Sequence, residues 1–289
     1  MVPPAELAVS QFTTWSQSFE EDVSLYSRLG VRWIEVCERK LALDQSQARQ
    51  QLASLRSSGL RVSSVQPRVH ALFPDTMAPD PTDPRERVAR FRQTIDLFAD
   101  CFPNEPISLV TITGKAPCFD FAAAVQTACV LYRDLADYAA DRGFRIMLEP
   151  LNPILMNVDT FICTMRQALR AIAAVDRPNF GLMLDVWHVW DEPDLDRSIK
   201  EAGDRIFGVH VSDWRRDGPR RFADRAMPGD GVIDFGRILS TIHRSGYRGV
   251  YCVEIFSAKE LPDSLWRRDP ADLVAASRIA FDRLWAEAT

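Results

Sequence analysis

Apolar positions along this chain fall into two alternating patterns. Short, nearly continuous apolar runs rich in β-branched residues predict buried strands at 6–12, 33–38, 61–66, 107–113, 144–150, 179–185, 206–212 and 249–256. Between them, apolar residues recur at helical spacing over 20–29, 47–58, 84–100, 120–142, 160–175, 194–202, 234–245 and 270–287. Asp-Pro pairs open the 84–100 and 270–287 segments, and Asp120 is placed to cap the longest one. Gly30, Gly59, Gly143, Gly203 and Gly246 each fall just before a strand, where an αβ turn needs a left-handed stop.

Eight strand–helix units of about 36 residues each match the arithmetic of a (β/α)8 barrel, a fold that typically runs near 250 residues. The rival is an open, doubly wound sheet, which usually carries a glycine-rich phosphate loop after its first strand. QFTTWSQSFEED, at that position here, has none. The expected architecture is therefore α/β: a (β/α)8 TIM barrel forming a single domain over residues 1–289.

Composition narrows the class. Of 289 residues 46% are hydrophobic and 26% charged, enough for a core that needs no disulfide or structural metal. The six cysteines (Cys37, Cys101, Cys118, Cys129, Cys163 and Cys252) are irregularly spaced without a C-x-x-C pair, which suits reduced thiols in a cytoplasmic protein. No apolar run approaches the roughly 18 residues of a membrane span. MVPPAELAVSQFTTW lacks the basic and apolar regions of a secretory signal. A net charge of −5 argues against a nucleic-acid partner, which calls for surplus Lys and Arg.

Barrel chemistry collects where strands end. Four successive predicted strands end in groups a metal accepts: Glu149 in IMLEPLNP, Asp185 in GLMLDVWH, His210 in GVHVSDW and Glu254 in YCVEIFS. One acid closing a strand is readily explained as a helix cap or an arginine's partner. One such residue on each of four strands is not, because an ionised carboxylate at the edge of an apolar element needs pairing or coordination. Three carboxylates and an imidazole form a hard donor set that suits one divalent ion: Mn²⁺ first, with Mg²⁺ or Co²⁺ as alternatives.

In order and spacing, LEPLNP, NVDTF, NFGLMLDVWHVW, HVSDW, DRAMPGDGVIDF and GYRGVYCVEIF resemble the xylose-isomerase-like TIM-barrel superfamily. That group includes sugar isomerases and epimerases, inosose and dehydroshikimate dehydratases, and AP endonucleases. The resemblance implies that Glu149, Asp185, His210 and Glu254 ligate one metal. It also makes His188, in D-x-x-H, and Arg225, in R-x-x-P-G-x-G, substrate contacts. Their plain alternatives are a capping histidine and a surface salt bridge. AP endonucleases read D-R-H where this chain has Asp224-Arg225-Ala226, and the four histidines present (70, 188, 210 and 243) do not suffice for their three-metal cluster.

Lys115, at the end of strand four, and His70, after strand three, are substrate donors or plain loop residues. Asn152 and Asn157 would bond substrate hydroxyls or serve as turn residues. Trp15, Trp187, Trp190 and Trp214 follow strands one, six and seven and would stack on a sugar or pack the rim. No glycine-rich phosphate cup follows strands seven and eight, which favours an unphosphorylated substrate. The expected activity is a metal-dependent isomerase or epimerase of a ketose or keto-polyol. Glu149 and Glu254 would shuttle a proton through a metal-stabilised enediolate. A dehydratase on the same barrel is the alternative; an AP endonuclease or a non-catalytic sugar-binding subunit ranks below it. The partners implied are a small sugar or polyol and, by fold analogy alone, further copies of the chain as a homo-oligomer.

Overall fold

The eight apolar runs become eight parallel strands paired around a closed ring, and the helical segments pack outside it. A computed structural model describes residues 4–217 and 221–289; residues 1–3 and 218–220, inside the expected 1–289 unit, lie outside the described residues. In chain order the elements are β1 (Leu7–Ser10), α1 (Phe19–Arg28), β2 (Trp33–Cys37), α2 (Gln45–Ser57), β3 (Arg61–Gln66), α3 (Pro84–Cys101), β4 (Ser108–Thr111) and α4 (Phe121–Ala140). Next come β5 (Arg145–Leu148), α5 (Met165–Val175), β6 (Phe180–Asp185), α6 (Val186–Val189), α7 (Leu195–Ala202) and β7 (Ile206–Val211). A two-strand ribbon of β8 (Asp213–Trp214) and β9 (Arg225–Ala226) precedes α8 (Phe235–Arg244), β10 (Tyr251–Val253) and α9 (Pro270–Ala288).

Around the barrel the order is β1-β10-β7-β6-β5-β4-β3-β2, closing back on β1. All eight pairings are parallel, as in Asp185 opposite His210 and Cys252 opposite His210. The single-domain TIM barrel expected from the pattern is the observed fold.

Helix starts follow the local chemistry. Ser18 with Glu21, and Thr164 with Gln167, form capping boxes; Asp44, Asp83, Asp120, Asp234 and Asp269 accept from first-turn N–H groups. Gly143 takes φ +74°, the left-handed stop after α4. The ladders are shorter than the apolar runs: three residues at 251–253 within the expected 249–256, and four at 108–111 within 107–113. Beyond the ladder, burial under the loops keeps the remaining residues apolar.

The core lies mainly between the strands' outer faces and the helices, for example Leu52, Leu55, Ile95, Tyr132 and Ile238, all buried. Inside the barrel, Val110, Met147 and Met183 form an apolar plug. Above that plug the interior turns polar, with Glu35, Ser64 and His210 fully enclosed.

Candidate metal centre

The ends of β5, β6, β7 and β10 bring Glu149, Asp185, His210 and Glu254 to one place. One ligand atom from each lies within 4.8 Å of every other, and all four residues are buried. His210 Nδ1 stands 3.4 Å from Glu254 Oε2 and 3.7 Å from Glu149 Oε1. Its other nitrogen, Nε2, is 2.9 Å from Glu35 Oε2, and Glu35 also accepts from Ser64 Oγ at 2.7 Å. Because β2 and β7 are separated by β1 and β10 in the ring, the Glu35–His210 contact crosses the barrel interior. A proton on Nε2 donating to Glu35 leaves the Nδ1 lone pair free to coordinate.

Arg225 closes the cluster from the ribbon. Its Nη1 donates to Asp185 Oδ2 (2.8 Å) and Glu254 Oε2 (3.1 Å), and its side chain is fully enclosed. The guanidinium lies against the rings of Trp187, Phe256 and Phe222 at 4.7, 5.0 and 5.2 Å. The salt bridge at Arg225 is thus internal, made to expected ligands. Asp185 also combines two readings: Oδ1 caps α6 through the Trp187 N–H at 2.9 Å while Oδ2 faces the cluster.

The buried acids and His210 act strongly on one another. Burial pushes the Glu149 carboxyl up to about 7, with nearby Glu254 and Asp185 adding to the effect and His210 opposing it. Burial opposes a charge on His210, but Glu254 and Glu35 outweigh it and hold the imidazole well above its usual range. Glu149 Oε1 and His210 Nδ1 are both buried without a hydrogen-bond partner. Two adjacent donors left in this way, among three carboxylates in excess of one guanidinium, are what a divalent cation satisfies. The residues fit one.

His188 lies beside the cluster, with Nε2 3.5 Å from Asp185 Oδ2 and 3.2 Å from Arg225 Nη2. Its Nδ1 accepts the backbone N–H of Asn152 at 2.9 Å. Burial first, and then the Arg225 charge, bring this imidazole down to about 3, against the pull of Asp185. It stays neutral. Asn152 does not line the cavity; its amide Nδ2 bonds the His188 carbonyl at 3.2 Å, so it positions His188.

The cavity above the cluster is lined by Glu149, Glu254, His188 and Arg225 together with Gln66 and His70. Lys115 is placed elsewhere: its side chain is exposed, and its N–H bonds the Pro74 carbonyl at 2.9 Å. Asn157 is a turn residue at φ +53° whose side chain accepts from the Ala116 N–H. The apolar wall is built by Phe12, Phe256 and Phe222, their rings tilted against one another with centroids 4.5 and 4.4 Å apart. Trp187, Trp190 and Trp214 pack on one another behind Arg225.

Sequence reasoning passed over Glu35, Gln66, Arg39 and Asp213. Gln66 Nε2 donates to Glu254 Oε1 at 3.2 Å. Asp213 binds the ribbon to the PGDG loop, accepting from the N–H groups of Trp214, Gly229, Gly231 and Ile233 at 2.8–3.0 Å. For Glu35 the available signal was an acid inside the apolar run WIEVC, a costly placement without a partner.

The family model described as xylose isomerase-like TIM barrel matches residues 23–278. Among curated relatives, an L-ribulose 3-epimerase of Methylomonas sp. (strain DH-1) is 33% identical over 43% of this chain and 40% of its own length. An inosose isomerase of Bacillus subtilis (strain 168) is 35% identical over 43% of this chain and 44% of its own. The chain thus matches half or less of the length of these relatives. Among solved structures, the Sinorhizobium meliloti 1021 protein SMc04130 superposes with a TM-score of 0.83 at 26% identity, covering 96% of this chain and 98% of that one. Among the described residues no helix is long and apolar enough to cross a membrane.

Proposed function

Starting from the fact that the chain belongs to the xylose isomerase-like TIM barrel family, we propose that it is a divalent-metal-dependent isomerase or epimerase of a ketose or keto-polyol. The observation that carries this reading is the convergence of Glu149, Asp185, His210 and Glu254 within 4.8 Å, with two of their donor atoms buried and unpartnered. Bound there, Mn²⁺, or alternatively Mg²⁺ or Co²⁺, would supply Lewis-acid polarisation of a substrate carbonyl, acidifying the neighbouring C–H. Homologues named as ketose epimerases and an inosose isomerase support a sugar-directed enzyme.

The protein's own groups do the rest. One of Glu149 and Glu254 removes the proton next to the carbonyl, and the other delivers a proton to the opposite face or to the adjacent carbon. The burial of Glu149 favours transfer, because a desolvated carboxylate is a stronger base than one in water. The Arg225 guanidinium, locked on Asp185 and Glu254 and 3.2 Å from His188 Nε2, is a donor fixed in advance toward the oxygen on which charge grows. The Phe12–Phe256–Phe222 wall excludes water and offers its ring faces to the apolar side of a sugar.

The test is exchange of substrate hydrogen with D₂O by the Mn²⁺-loaded protein, across ketoses and keto-inositols. Exchange is expected in the wild type and is lost in Glu149→Gln or Glu254→Gln, whichever removes the first proton, with metal still bound. Absence of exchange throughout the panel overturns the reading. An enone absorbance accompanying exchange moves the reaction from isomerisation to dehydration, since both begin with the same proton.

A further inference from the structure

Arg39 stands in the turn after β2 and lines the same cavity as Glu149 and Glu254. In the ring order β2 lies across the mouth from β6, which carries Asp185, and β3 lies across from β7, which carries His210. The side of the cavity facing the proposed cation is therefore built by residues following β2 and β3. Two donors there are underused. Arg39 makes one polar side-chain contact among the described residues, from Nη2 to the Arg68 carbonyl at 2.8 Å. His70, from the β3 loop, is buried, and its ring has no hydrogen-bond partner among the described residues.

The acids near Arg39 are committed elsewhere. Asp75 is paired with Arg87 at 3.0 Å, both nearly inaccessible, and also accepts from the Met77 and Ala78 N–H groups. Glu38 accepts from the Arg68 N–H and the Thr94 hydroxyl, each at 2.7 Å. Asp159 is taken up by the N–H and hydroxyl of Thr76. A guanidinium held half-buried at a cavity wall with no ion pair among the described residues presents a planar fork whose natural complement is a carboxylate.

We propose that the substrate carries a carboxylate at the end remote from the proton-transfer centre, and that Arg39, assisted by the His70 N–H, selects it: the enzyme acts on a sugar acid or a hydroxylated cyclic keto acid. This rests on the isomerase reading and names its substrate class. A single guanidinium beside a neutral imidazole suits the lone negative charge of a carboxylate, whereas a phosphate dianion is usually met by several N–H groups or a helix N-terminus.

The experiment measures calorimetric affinity of the Mn²⁺-loaded protein for D-fructose, its C6 acid D-fructuronate, D-fructose 6-phosphate and the cyclic keto acid 3-dehydroquinate. Wild type, Arg39→Met and Arg39→Lys are compared, with melting temperature and Mn²⁺ affinity as folding controls. At least one of the two acids is expected to bind about tenfold tighter than D-fructose, the size of a charge-assisted hydrogen-bonded pair. That advantage disappears in Arg39→Met and is partly kept in Arg39→Lys, and KM for the acid rises while kcat changes much less. Equal affinities, an advantage that survives in Arg39→Met, stronger binding of the phosphate, or no binding of either acid overturns the proposal. Charge-selective binding without hydrogen exchange would defeat the isomerase reading alone, and exchange confined to neutral ketoses would defeat this one alone.

Discussion

Glu35 accepts at 2.9 Å from His210 Nε2 while Nδ1 faces Glu149 and Glu254, so one carboxylate fixes both the tautomer and the ring orientation of an expected ligand. Glu35→Gln substitutes an amide that no longer enforces that tautomer. Mn²⁺ affinity should fall about 10- to 100-fold, the usual cost of losing such a partner, and an unchanged affinity would show that Glu35 merely fills space. Arg225 is the second residue whose neighbours define it. Arg225→Lys keeps the charge but not the fork that reaches Asp185 and Glu254 together, and steady-state kinetics should show kcat reduced on the order of 10²-fold. The four-residue cluster itself was legible in the sequence because each member closes an apolar run. Glu35 was not, since its partner is 175 residues away and the two meet only once the barrel closes. Lys115 shows the converse: a strand-end position in sequence was no guarantee of a place at the mouth.

Helices were legible at the scale of the element, because Asp and Ser/Thr caps and glycine stops are local chemistry. The β8–β9 ribbon was not; two-residue strands are shorter than any period that hydrophobic patterning can register. Yet the ribbon places Arg225, and Asp213 secures it through four backbone N–H groups. Asp213→Ala leaves those donors without their acceptor and should cost about 2–4 kcal/mol, seen as a lower denaturation midpoint. The R-x-x-P-G-x-G motif gains a steric meaning here as well. A Cβ at Gly231 would lie 2.2 Å from the Trp214 carbonyl oxygen and 2.3 Å from Asp213 Oδ1, so Gly231→Ala must displace the loop. Crystallography of that variant should find Arg225 shifted off Asp185; an unmoved guanidinium would mean that the ribbon is held by other contacts.

Over the whole molecule, the barrel gathers Glu149, Asp185 and Glu254 at one end, where a bound cation would link folding stability to metal and to pH. Glu149 is held at about 7, above its ordinary value, so its ionisation opposes folding. The sign follows: with the folded-state value raised, this contribution favours folding at low pH and is lost as pH rises through about 7. A cation needs that same group deprotonated, so metal affinity rises with pH over the same interval. The difference in melting temperature between Mn²⁺-loaded and metal-stripped protein should therefore widen from pH 6 to pH 8. At a hundredfold excess of Mn²⁺ over Kd it should reach about 5 °C. A gap independent of pH would place Glu149 outside the coordination sphere.

The most direct measurement is a Mn²⁺ titration of the metal-stripped protein, with free ion followed by electron paramagnetic resonance, on the wild type and on Glu149→Gln, Asp185→Asn, His210→Ala and Glu254→Gln. One tight ion per chain, weakened by every one of the four substitutions, is the predicted result. Two or more equivalent ions, or a single ion whose affinity none of the four changes, would contradict a shared cation at the mouth of this barrel.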